Sequence, residues 1–248
     1  MIDALVVLGE SLFGRGLEVA DAVAQAKSAG VERIIAAPAR GRDYSTVAAN
    51  DRLFADTRLH PTVSRLARID PNQGENALVE LERAVTGLGC VGVFLNPDEE
   101  VFRIQDAAPV ARLAGELGVP VVVVAGVVNR SEPLQVLELS QTVPGAQIVL
   151  TSGGQINISG LGMVDAWAAL ERSQNMSVLT NGEYRQDFLE RIPKELGPER
   201  LLFASFAPYY EQPFEVARVR NVPFSDDVRE TIEHGNAERL FKLVSRGA

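Results

Sequence analysis

Residues 106–126 read DAAPVARLAGELGVPVVVVAG. From Asp106 to Leu117 the apolar residues return every three or four positions, the period of a helix with one buried face. Gly118 follows, a residue suited to the left-handed conformation in which helices commonly end. Val119 to Ala125 is then an apolar, mostly β-branched run, which suits a strand of a parallel sheet covered on both faces. The stretch predicts one repeat of a helix-then-strand chain, with the strand buried inside and the helix outside.

The same unit recurs along the sequence. Short apolar runs stand at Ile2 to Leu8, Glu32 to Ala37, Arg65 to Asp70, Val91 to Asn96, Val119 to Ala125, Ala146 to Thr151, Asn175 to Thr180 and Leu201 to Ser205. Helix-period segments lie between them, including Leu17 to Ala29, Glu75 to Leu88, Glu132 to Thr142 and Arg185 to Leu196. Gly30, Gly89 and Gly197 punctuate these as Gly118 does. Eight alternating units close a barrel. With 248 residues, 46% of them hydrophobic, the chain suits one large core. The expected fold is α/β, a (β/α)8 TIM barrel in a single domain over residues 1–248. The longer loops follow strands, so any site belongs at the carboxyl ends of the strands.

Charge narrows the function. Thirty-three acidic against 24 basic side chains leave a net charge of −9, which repels nucleic acid and anionic membrane alike. No apolar run approaches a membrane span, and the chain opens directly on a strand without a basic leader, so a cytoplasmic location is expected. Cys90, the single cysteine, begins an apolar strand and reads as buried filler.

Seven segments, taken in order, carry a resemblance. IDALVVLG at 2–9 is similar to an opening IDxHxHLG, and RIDPN at 68–72 precedes a Glu-rich helix. CVGVFLNP at 90–97 is similar to GVKLHP, VPVVVVAG at 119–126 to PxxxHxG, and AQIVLTSGG at 146–154 to IVLxHxGG. ERLLFASFAP at 199–208 is similar to a strand ending GSDxP, and GNAERLF at 235–241 to GNAxRLF. Together they resemble the amidohydrolase-2 family, metal-dependent decarboxylases and hydrolases on a (β/α)8 barrel. That resemblance implies imidazole and carboxylate ligands at the ends of strands one, four, five, six and eight. Here the corresponding positions hold Leu5 and Val7, then Phe94 and Asn96, then Val124, Ser152 and Phe206. None of the apolar five has a lone pair to offer a metal, so no metal ligand and no cofactor is expected. The only two histidines, His60 and His234, fall before the third strand and in the C-terminal helices, away from the mouth, which leaves a Ser-His-Asp or Cys-His arrangement without its base.

Leu5, Val7, Phe94, Val124 and Phe206 therefore form an inward apolar set, readable as a packed plug or as the lining of a hydrophobic ligand pocket with a few polar groups. Polar candidates at the same end are Asn96, Ser152, Thr180 and Ser205 on strand ends. Loop candidates are Glu10, Arg40, Arg42, Arg130, Tyr184, Tyr209 and Tyr210. Ser152 before Gly153 and Gly154 could form a small anion-binding turn, and the arginines suit a carboxylate or phosphate. Ser152, Asn96, Glu10 and Tyr184 are the catalytic candidates; Arg40, Asn96, Ser152 and Tyr209 join the apolar five as candidate ligand contacts.

Three functions fit. The first is a metal-free, non-catalytic barrel serving as a binding or structural subunit, in a homo-oligomer or a heteromer with a related metal-bearing amidohydrolase. The second is a metal-independent hydrolase or lyase acting on a small organic molecule. The third is a sensor or carrier of a small apolar or anionic ligand.

Overall fold

The computed structural model describes residues 1–155 and 161–243. Residues 156–160 and 244–248, part of the expected 1–248 span, lie outside the described residues. Eight parallel strands run in the order β1 (Ile2–Leu8), β2 (Arg33–Pro38), β3 (Val63–Arg68), β4 (Gly92–Leu95), β5 (Val121–Val123), β6 (Ile148–Leu150), β7 (Met176–Leu179) and β8 (Leu201–Leu202). Each pairs with its sequence neighbour. The seam closes where Ala4 N–H donates to Phe203 O at 3.0 Å, Phe206 N–H to Leu5 O at 2.8 Å and Val7 N–H to Ala207 O at 2.7 Å. The result is the expected single-domain TIM barrel.

Helices return the chain from the carboxyl ends of the strands to their amino ends. They are α1 (Val19–Ala29), α2 (Thr46–Thr57), α3 (Glu75–Thr86), α4 (Ala108–Leu117), α5 (Pro133–Thr142), α6 (Leu161–Arg172), α7 (Gln186–Arg191) and α8 (Gln212–Arg220), with short α9 (Asp226–Glu230) and α10 (Asn236–Leu240) at the end. Gly118 ends α4 with φ 68°, and its N–H reaches the Ala114 and Gly115 carbonyls. This left-handed turn is the one that the first-quoted stretch predicts.

Side chains alternate across the wall. Val121 and Val123 pack outward with α4 and α5 residues such as Val110 and Val136, while Val122 and Val124 enter the barrel with Leu66, Phe94 and Val149. In β1 the register shifts between Asp3 and Val6: Ala4 and Leu5 face a single residue of β2, and both belong to the interior cluster. The carboxylate of Asp3, wholly buried, braces that bulge by accepting from Leu5 N–H at 3.2 Å, Ser205 N–H at 2.8 Å and Gln212 Nε2 at 2.7 Å.

The amino end of the barrel is closed from below. Phe241 belongs to the interior cluster, and its ring comes so close to Gly92 that a Cβ there would sit 3.2 Å from it and 2.8 Å from Leu66 Cδ2. Glycine at position 92 is what admits the C-terminal aromatic.

Most observed strands are shorter than the sequence runs, because the run ends leave the ladder to enter loops. The third shifts: β3 spans Val63–Arg68 rather than Arg65 to Asp70. Asp70 instead accepts from Asn72 N–H at 3.0 Å and starts a one-turn helix, Pro71–Gln73. Cys90 is buried, as expected, and burial pushes its thiol up to about 12.

Candidate functional site

The carboxyl ends of the strands converge on an apolar centre. Leu5 and Phe94 are fully buried, and Val7, Val124 and Phe206 are at most 6% exposed; all five share one packed cluster. Phe206, at φ 58° just beyond β8, lies 6.4 Å from the Phe94 ring in an edge contact. Tyr209 stacks on Phe206 at 4.7 Å, and Tyr210 approaches it at 6.4 Å. The two tyrosines thus add an outer layer over Phe206.

A buried ionic network flanks this plug. Arg68, at the end of β3 and 1% exposed, donates through Nε to Glu100 Oε1 at 2.8 Å and through Nη1 to Pro38 O at 3.1 Å; Nη2 meets Glu99 Oε2. Its guanidinium lies over the Phe94 ring at 5.5 Å. Arg40 reaches Glu100 at 3.1 Å and the Glu99 carbonyl. Tyr209 donates its hydroxyl to Glu99 Oε1 at 2.5 Å. Burial raises the carboxyl of Glu100, against the pull of Arg68. On Arg68 burial works the other way, but the two carboxylates outweigh it and hold the guanidinium charged. Burial and the neighbouring Glu99 push the Tyr209 phenol well above its ordinary range, so it stays protonated as a donor and has no character of a base.

Asn96 shapes this network. Its Oδ1 accepts from Asp98 N–H at 3.2 Å and Glu99 N–H at 3.3 Å, holding the turn that presents both glutamates. Arg130 binds the same turn from outside, through the Pro97 and Asp98 carbonyls. Ser152, at φ 54°, is paired with Asn181: its N–H donates to Asn181 Oδ1 at 3.2 Å, and its Oγ accepts from Asn181 Nδ2 at 3.1 Å. Beside it Glu183 accepts from Gln155 Nε2 at 3.0 Å and Arg185 N–H at 2.8 Å, and burial raises its carboxyl. Thr180 and Ser205 are engaged with backbone groups of the β8 segment.

The structure brings Leu5, Val7, Phe94, Val124, Phe206 and Tyr209 together, and joins Arg40 and Asn96 to the ionic network around them. It does not bring Glu10 or Tyr184 there. Glu10 is exposed, 3.5 Å from Arg42. Both line a cleft of about 380 Å³ outside the barrel, between the ends of β1 and β2 and the helices α1 and α2. Tyr184 is 53% exposed on the loop after β7. Sequence reading missed Arg68, Glu99, Glu100, Asn181 and Glu183. One signal was present: an arginine inside an apolar strand needs buried partners, and a Glu-Glu pair after strand four could supply them.

The Amidohydrolase family profile matches residues 11–243. The chain belongs to the amidohydrolase family. No curated protein matches the sequence. Among solved structures, 5-carboxyvanillate decarboxylase from Sphingomonas paucimobilis superposes with a TM-score of 0.80 at 17% identity, over 98% of this chain and 99% of that one. A 2,6-dihydroxybenzoate decarboxylase from Rhizobium gives 0.77 at 18% identity, over 97% and 98%. A dihydroxybenzoic acid decarboxylase from Polaromonas sp. JS666, solved with manganese and 2-nitroresorcinol, gives 0.79 at 20%, over 97% and 96%.

Manganese in that relative raises the question of whether this amidohydrolase could hold an ion. The donor set does not fit. Valine, leucine and phenylalanine occupy the converging strand ends, and among the described residues no group of three His, Cys, Asp or Glu side chains is placed to hold a metal. His60 precedes β3 at the amino end of the barrel, and His234 lies in the helical turn Thr231–Gly235. The buried carboxylates beside the centre are engaged as well: Glu99 and Glu100 with arginines, and Asp3 with Leu5 N–H, Ser205 N–H and Gln212.

Proposed function

We propose that this amidohydrolase barrel is a pseudoenzyme, a non-catalytic binding or structural subunit. One observation carries the reading: the strand ends where the family's chemistry is expected hold a packed set, Leu5, Val7, Phe94, Val124 and Phe206, roofed by Tyr209. Burying each such side chain contributes about 1.5–3 kcal/mol relative to exposing it, so the centre of the mouth stabilises the fold instead of receiving a substrate. A cytoplasmic location and a partner, either a second copy or a related barrel, belong to the same proposal.

A second reading, a metal-independent hydrolase or lyase, draws support from the buried polar group of Ser152, Asn181 and Glu183 and from the decarboxylase names of the structural relatives. One experiment separates the two. The untagged protein is incubated with manganese or zinc, desalted, assayed for bound metal, and tested for carbon dioxide release from 5-carboxyvanillate and 2,6-dihydroxybenzoate. The subunit reading expects less than about a tenth of an equivalent of metal, since tight sites need preformed ligands, and no turnover. A stoichiometric ion with turnover overturns it. Turnover without metal moves the assignment to the second reading, with Glu183→Gln as the variant that should abolish it.

A further inference from the structure

The cleft of about 380 Å³ outside the barrel is used by neither reading of the centre. One wall is a single face of α2, where Ala49, Arg52, Leu53 and Asp56 return at the three- and four-residue spacing of neighbours on a helix. Glu18 and Val19, at the start of α1, form the other wall, and Glu10, Arg42 and Asp43 rise from the loops after β1 and β2. Val19 and Leu53 belong to the core, and with the small side chains of Ala39 and Ala49 they give the inner end an apolar surface. Clefts that hold small molecules have this make-up: about 300–1,000 Å³, largely apolar, with a few polar groups that orient the ligand.

The polar groups of the cleft are not equivalent. Four carboxylates, Glu10, Glu18, Asp43 and Asp56, stand with two arginines, and both arginines are taken. Arg52 pairs with Asp43 at 2.8 Å, and its hydrogen bond holds that carboxyl below the usual carboxylate range. Glycine at position 41 admits this pair, since a Cβ there would sit 2.6 Å from Arg52 Nη2. Arg42 lies 3.5 Å from Glu10. Glu18 and Asp56, by contrast, have neither a hydrogen bond nor an ion pair among the described residues. Glu18 holds the N-cap position of α1 without a side-chain cap bond, and Asp56 acts on Arg52 only through longer-range attraction. An anion would have to draw an arginine away from its carboxylate, on a chain whose net charge of −9 already repels it. A cation meets two carboxylates without partners. A bare ion would leave the apolar inner end unused, whereas an ammonium on an apolar body engages both parts of the cleft.

We infer that the cleft between α1 and α2 binds a small organic cation, with Glu18 and Asp56 as its charge partners and Val19, Ala39, Ala49 and Leu53 beneath its apolar body. The site lies outside the barrel, so the inference goes beyond the subunit reading, and neither outcome of its test bears on whether the centre is sealed. The full chain, labelled with nitrogen-15, is titrated at low salt with 2-phenylethylammonium and followed by amide chemical shifts; the neutral 2-phenylethanol and the anionic phenylacetate are titrated in parallel. The expected result is saturable binding of the amine with a dissociation constant of about 1 mM, in keeping with so few ligand atoms. Its shift changes should gather on the loops after β1 and β2, the start of α1 and the cleft face of α2, and the alcohol and the anion should bind about tenfold more weakly or less. Glu18→Gln and Asp56→Asn should each weaken the amine by about two- to fivefold, the fold-change of an exposed ion pair. Glu116→Gln removes an equal charge at an exposed position on α4 and should change nothing. Both cleft carboxylates are exposed, so the variants are expected to fold, which circular dichroism verifies, and the map of shifts on wild type locates the site without them. A titration that stays linear, an alcohol that binds as well as the amine, shifts gathered away from the cleft, or binding that neither variant weakens each overturns the inference.

Discussion

The Tyr209 hydroxyl donates to Glu99 Oε1 at 2.5 Å, tying the segment after β8 to the turn after β4 across the top of the barrel. Because the acceptor is a carboxylate already paired with Arg68, Tyr209 completes a buried charged network instead of capping an isolated group. Tyr209→Phe keeps the stack on Phe206 and removes only this bond. A loss of about 1.5–3 kcal/mol is expected, the range for a hydrogen bond to a charged group, read from urea unfolding midpoints at constant slope. A loss near zero would mean that water replaces the hydroxyl and the mouth is wet.

Arg68 is the centre of that network. Arg68→Met takes from Glu99 its arginine and leaves Glu100 only the partly exposed Arg40, a change expected to cost about 3–5 kcal/mol near neutral pH. The triple variant that also carries Glu99→Gln and Glu100→Gln should recover a large part of this loss. If the triple variant is no more stable than the single, the damage comes from lost packing on Phe94 and not from stranded charge.

Phe206 discriminates plug from pocket. In a packed centre Phe206→Ala should cost about 3–5 kcal/mol, the range for deleting a core aromatic, and the resulting void should admit a small apolar molecule such as benzene, seen as a rise in melting temperature. A cost below about 1 kcal/mol, the range for surface substitutions and small adjustments, would indicate that Phe206 lines an opening already present.

Asp3 gives the fold a pH signature. Burial raises its carboxyl from 3.8 to about 6, against the hydrogen bonds from Ser205 and Gln212 that favour the charged form. Since the folded chain holds this proton more tightly than the unfolded chain, its contribution is fully present below about pH 4 and is lost as the pH rises through about 6. The stability difference between wild type and Asp3→Asn should therefore fall from pH 4 to pH 6.5, by up to about 3 kcal/mol, and level off above. A difference independent of pH would mean that Asp3 titrates alike in both states.

The fold was legible because its signals are local. Each strand is a short apolar run, each repeat lies next to its neighbour, and Gly118 performs the stop that its position implies. The inward direction of Leu5, Val7, Phe94, Val124 and Phe206 was equally legible, since side chains alternate along a strand. The ionic network was not. Arg68 finds Glu100 32 residues away and Asp3 finds Gln212 209 residues away, and the run Asp98, Glu99, Glu100 reads as a solvated loop until the fold turns Glu99 and Glu100 inward. Glu10 and Tyr184 failed to converge for a related reason. Loop membership places a residue at one end of the barrel but says nothing of which way its loop leans.

The seam between β1 and the residues after β8 carries a consequence for synthesis. Ile2–Leu8 is synthesised long before residues 203–207, whose carbonyls and amides complete its free edge. At about 5–20 residues per second, that edge waits about 10–40 s for its partner, and Phe241 arrives later still. Throughout that interval the nascent chain exposes an apolar strand with one unpaired side, the form most prone to join a neighbouring nascent chain. Shielding of β1 during that interval therefore bears on how the chain reaches the finished barrel, apart from how stable the barrel then is.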